Sequence, residues 1–96
     1  MSYPNLLKYV EFEKAIRYVG EDRLKAYASL KGHRVNLFDR NMKIIRYTLQ
    51  HGTHAASKAF HLSGSYPSTI LYKYGRLAME LAKKIEKEKE ERNNND

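Results

Sequence analysis

Residues 65–76 read SYPSTILYKYGR and concentrate the side chains best able to do chemistry: the hydroxyls of Ser65, Ser68 and Thr69, the phenols of Tyr66 and Tyr72, and the cations Lys73 and Arg76. Pro67 suits the first position of a helix, and Tyr66, preceding a proline, is biased towards extended backbone, so the spacing predicts a helix beginning at Pro67. At about 100° per residue, Thr69, Tyr72, Lys73 and Arg76 fall on one side of that helix, with Ile70, Tyr74, Leu77 and Leu81 on the other. The first group is suited to the edges and phosphates of a duplex. Arg76 and Lys73 donate to guanine or to phosphate, Thr69 offers a hydroxyl and a methyl, and Tyr72 can stack or donate. Ser65 and Ser68 stand where free backbone amides favour an anion. The bland alternative is the solvated face of a structural helix.

Supporting cations lie upstream. Lys43 and Arg46 share the side of a helix opposite Met42, Ile45 and Leu49, and Thr53, His54 and Lys58 cluster at the start of the next. All five are expected to contact phosphate, with ordinary solubility as the competing explanation.

Other chemistries find no support. The chain has 96 residues and no cysteine, which excludes disulfides, thiolate metal sites and a cysteine nucleophile. His51, His54 and His61 do not reproduce a zinc spacing and have no carboxylate nearby, so no metal or other cofactor is expected. A lone acid, Asp39, lies in the central region, without a glycine-rich phosphate loop or a Ser-His-Asp arrangement, and the eight tyrosines lack the Arg and His cluster that would activate one as a nucleophile. The chain is therefore not expected to be an enzyme.

The formal charge is +7, and its distribution says more than the total. From Arg23 to Arg76 there are ten Lys and Arg against Asp39 alone, with the other acids placed before and after. A segregated positive middle points to an anionic polymer as partner. The N-terminal residues show neither a basic leader nor an apolar run of spanning length, so a cytoplasmic, nucleoid-associated protein is expected.

Helical periodicity runs through nearly every segment, and a small all-α domain with a tri-helical helix-turn-helix core and a long C-terminal helix is expected. A first helix opens at Pro4, uses Leu6, Leu7, Val10, Ala15, Ile16 and Val19, and stops at Gly20. A second spans 21–30, with Gly32 beyond it. Asp39 is read as the N-cap of a helix over 40–50, Thr53 as the cap of a short helix reaching Leu62, and the last helix as continuing past Ile85 on pairs such as Lys84 and Glu88. Three parts follow: residues 1–38 as a possible dimerisation element, 39–86 as the helix-turn-helix core, and 87–96 as a charged, disordered tail.

Residues 52–81, GTHAASKAFHLSGSYPSTILYKYGRLAMEL, resemble the helix-turn-helix of small bacterial regulators, most closely the PapB type that controls adhesin operons and more loosely plasmid repressors of the KorA kind. The elements that carry the resemblance are the glycine after the supporting helix, Tyr66, the run Ser68-Thr69 with Leu71, and Gly75-Arg76-Leu77. It covers residues 39 to 82. It implies an oligomeric transcriptional regulator that binds AT-rich double-stranded DNA through residues between Ser65 and Arg76. Two other readings compete: a protein-binding adaptor or inhibitor using the apolar stripe of the last helix, and an architectural DNA-binding protein without base readout.

Overall fold

The computed structural model describes the backbone of residues 3–94 and the side chains of residues 9–92. Among the described residues five helices follow one another: α1 (Tyr3–Val19), α2 (Glu21–Leu30), α3 (Phe38–His51), α4 (Thr53–Ala59) and α5 (Tyr66–Asn94). The protein is a small all-α domain with a long C-terminal helix, and the described residues contain no strand. The side chains of Pro4, Leu6 and Leu7, assigned above to the first apolar face, lie outside the described residues.

The helix ends follow from local chemistry. α1 and α2 meet at Gly20, and Arg23 reaches back to donate from Nε to the Val19 carbonyl at 2.6 Å and from Nη2 to the Tyr18 carbonyl at 3.1 Å, occupying acceptors that the end of α1 leaves free. α2 closes in a Schellman turn, in which the His33 amide bonds to the Ala28 carbonyl and the Gly32 amide to Ser29, each at 3.0 Å. Gly32 takes φ +88° there, a conformation natural to glycine. The same device ends α4 with a histidine in the glycine's place: Leu62 bonds back to Ser57 at 2.8 Å, and His61 adopts φ 56°. Histidine is among the few side chains that visit this region with some frequency.

Several expected boundaries move. α3 begins at Phe38 with Leu37 as its cap, so Asp39 is a first-turn residue rather than the N-cap; its acid still suits the positive end of the helix. Gly52, not Thr53, precedes α4, and no side chain caps that helix. α4 stops at Ala59 instead of Leu62 because the His61 turn intervenes. Pro67 is the second residue of α5, fully buried, after Tyr66. Residues 87–94, expected as disordered tail, continue α5, and Lys84 rests over the Tyr27 ring, 5.2 Å from its centroid, rather than against Glu88.

One contiguous core joins α1, α2, α3 and α5. Phe12, Ile16 and Val19 of α1, Leu24 and Ala28 of α2, Phe38, Met42, Ile44 and Ile45 of α3, and Leu71, Tyr74 and Ala78 of α5 are all buried in it. Residues 9–38 therefore contribute to the same core as the rest, and their apolar face is largely consumed inside the chain. Fully buried Leu24 and Leu71 each contribute about 1.5–3 kcal/mol by leaving water.

The most extensive helix–helix interface is α1 on α5. The two run parallel: Tyr9 and Phe12 pack edge-on against Tyr72, with centroids 6.0 and 5.3 Å apart, and further along both helices Lys89 donates to the Tyr18 hydroxyl at 3.0 Å. Gly75 makes this approach possible. A Cβ there would lie 2.3 Å from Cγ of Phe12, so the missing side chain is the seat of the phenyl ring.

Candidate nucleic-acid interface

The start of α5 is turned so that Ile70, Leu71, Tyr74, Leu77 and Ala78 are buried while Thr69, Lys73 and Arg76 face solvent. Three of the four residues expected on the outer face are thus placed there. Tyr72 is the exception: it is half-buried, with its ring held by Tyr9 and Phe12 of α1. The periodicity of α5 alone placed it on the polar face; the neighbour that covers it comes from a helix sixty residues earlier in the chain.

The hydroxyls at the entrance to the helix are turned back onto the local backbone. Ser68 Oγ and Thr69 Oγ1 both donate to the Ser65 carbonyl at 3.0 Å, which also accepts the Thr69 amide at 3.0 Å. These bonds fix the first turn, and each hydroxyl keeps its lone pairs for an incoming donor. Ser65 itself is exposed, and Ser68 is half-buried. Tyr66 is half-buried, its hydroxyl accepting from Arg40 Nη2 at 3.0 Å, so Arg40 ties the first turn of α3 to the first turn of α5. Arg40 escaped the sequence reading because it was counted only as bulk charge. Its signal was its place at the N-terminal end of α3, near the tyrosine that opens α5.

The supporting residues divide into two sets. Lys43, His54 and Lys58 are exposed and Thr53 is half-buried. Arg46, expected beside Lys43 as a phosphate contact, instead forms an ion pair with Glu21 at the start of α2. It lines a cleft of about 180 Å³ whose floor is Ile16, Met42, Ile45 and Leu49 and whose rim also carries the Arg17–Glu13 pair, 2.9 Å apart. Arg46 therefore stands beside Lys43 as expected but is engaged by Glu21 within the chain.

This division is general. The ion pairs among the described residues take their carboxylates from Glu13, Glu21, Asp39 and Glu80, and none reaches Arg40, Lys43, Lys58, Lys73 or Arg76. Glu80 would otherwise oppose Arg76, one turn before it on the same exposed stripe. It is held on the α2 side, accepting from the Tyr27 hydroxyl and pairing with Lys31 at 3.0 Å. The Tyr27 hydrogen bond, with help from Lys31, lowers the Glu80 pKa below the ordinary carboxylate value, and the same hydrogen bond raises that of Tyr27. The acid is satisfied where it sits, which leaves the guanidinium of Arg76 available to solvent.

Among the described residues no group of three or more His, Asp or Glu is placed to hold a metal ion. His51 lies against Tyr47, with ring centroids 4.5 Å apart, and Phe60 meets the same tyrosine edge-on at 5.6 Å. No described helix is long and apolar enough to cross a membrane. Compared with protein-family models, curated proteins and solved structures, the chain matches none of them.

Proposed function

We propose that the chain is a DNA-binding transcriptional regulator of the helix-turn-helix kind, in which α4, the turn at 60–65 and the start of α5 form the reading unit. Thr69, Lys73 and Arg76 enter the major groove, while Arg40, Lys43, His54 and Lys58 flank it. The observation that carries this reading is the placement of Lys73 and Arg76 on an exposed stripe without an ion-pair partner among the described residues, while Glu80, the acid one turn beyond Arg76, is held by Tyr27 and Lys31. A free guanidinium on a rigid helix is the group best matched to the O6 and N7 acceptors of guanine. The resemblance to PapB-type regulators supports the same assignment and adds the expectation of a homodimer, working at the nucleoid on AT-rich sites roughly 34 Å apart on one DNA face.

An adaptor that docks through the apolar stripe of α5 is disfavoured, because Ile70, Tyr74 and Leu77 are buried in the chain's own core and Leu81 and Ile85 pack against it.

The test is a gel-shift comparison of single variants on AT-rich and random duplexes. Arg76→Ala is expected to weaken binding to the preferred duplex about tenfold and to flatten the preference between duplexes. An equal loss on every duplex identifies architectural binding without base readout, and no loss at all removes the face from consideration.

A further inference from the structure

Beside the proposed reading face, α1 contributes one exposed acid. Glu11 and Arg76 line opposite sides of one groove, whose remaining walls are Phe12, Tyr72 and Met79. Phe12 seated over Gly75 fixes the register of α1 on α5, and with it the position of Glu11, the residue immediately before that anchor. Glu11 enters none of the ion pairs among the described residues, so its charge is free to act on what enters the groove.

We infer that Glu11 is a specificity-determining residue that acts through Arg76. The inference rests on the DNA-binding reading of α5. A phosphate and a guanine edge both attract a guanidinium, but only the phosphate carries a full charge. A carboxylate on the α1 side therefore competes with the backbone phosphates for the guanidinium and draws it away from them, penalising the sequence-independent contact more than the contact with a neutral base. Glu11 is a positioning residue in this scheme. It touches no base, and its effect passes through the arginine across the groove.

The experiment measures binding of the full chain to a random-sequence duplex and to a site selected from a random duplex pool, at two salt concentrations. Glu11→Gln is expected to tighten binding to the random duplex about threefold or more at low salt, with the gain shrinking as salt screens it. Binding to the selected site changes less, so the ratio between the two falls. Glu11→Asp is expected to retain most of the wild-type ratio, and Glu11→Gln placed on an Arg76→Ala background is expected to leave the ratio unchanged. A purely structural role for Glu11 would show instead as an equal change on both duplexes, or as a change that persists without Arg76, and either result overturns the inference. If the wild-type chain binds the duplexes with a steep salt dependence and Glu11→Gln leaves the ratio intact, the inference falls and the DNA-binding reading stands. If the wild-type chain binds no duplex, both fall.

Discussion

Arg46 and Arg76 are the same residue type on exposed sides of two helices of one small protein, and the molecule treats them in opposite ways. Arg46 faces α1 and α2, where Glu21 meets its guanidinium over a cleft rimmed by a second ion pair. Arg76 faces out from the start of α5, and the acid one turn further along is drawn aside by Tyr27 and Lys31. The first region answers its charges within the chain; the second leaves them unanswered. A half-exposed pair such as Arg46–Glu21 adds at most about 1 kcal/mol to the fold, whereas a cation without an ion-pair partner on a well-packed helix keeps its charge for a partner.

The comparison can be broken most forcefully at the seam that positions the second region. Phe12→Ala is expected to cost about 3–5 kcal/mol in chemical denaturation, since the ring is buried between α1 and α5. Gly75→Ala would ordinarily stabilise a helix by about 1 kcal/mol. Here the added methyl meets the Phe12 ring, and a net loss of about 1–3 kcal/mol is expected. Combining the two changes should restore the ordinary sign at position 75. If Gly75→Ala stabilises the protein with Phe12 in place, the α1–α5 packing described above is wrong.

The two arginines themselves give the next largest contrast. Arg76→Ala should lower DNA affinity about tenfold with little change in stability. Arg46→Ala should do the reverse, leaving duplex affinity nearly unchanged and costing no more than about 1 kcal/mol, because the pair is half-exposed. Parallel binding and denaturation curves on the two variants would show whether the division holds.

Within the core, Tyr74 sharpens the same point from the other direction. Its hydroxyl is buried without a hydrogen-bond partner, and its ring packs edge-on against Phe38. Tyr74→Phe removes an unanswered polar atom and is expected to stabilise the protein by about 1 kcal/mol in the same denaturation assay.

The smallest effect concerns the acid that is held aside. The folded-state pKa of Glu80 lies below its unfolded value, so its contribution is fully present above the unfolded value and is lost as pH falls through the folded one. Tyr27 and Lys31 are both raised, so their contributions are present below their unfolded values and are lost at alkaline pH. Stability measured against pH should therefore differ between wild type and Glu80→Gln at neutral pH, and the difference should shrink in acid below the carboxylate range.

What could be read from sequence was what depends on one helix at a time. The all-α class, Gly20 and Gly32 as helix ends, and the solvent-facing placement of Thr69, Lys73 and Arg76 followed from period and punctuation. What required a second helix could not be read. Tyr72 looked exposed because its cover, Tyr9 and Phe12, comes from α1; Arg46 looked free because Glu21 lies twenty-five residues away in the chain; and nothing in the residues around Gly75 shows that it is the seat of the Phe12 ring. The caps failed for a different reason. Asp39 and Thr53 are good capping residues by type, but Phe38, buried in the core, draws the start of α3 back to itself, and Gly52 breaks the chain between α3 and α4 before a side chain is needed.

Whether the cations of α3, α4 and the start of α5 meet phosphate is decided by a titration of the full chain against AT-rich and random duplexes over a range of salt concentrations. The binding constant is expected to fall linearly and steeply with salt on logarithmic axes, as counterions are released at each neutralised phosphate. Absence of binding to any duplex at low salt, or binding indifferent to salt, would contradict the DNA-binding reading.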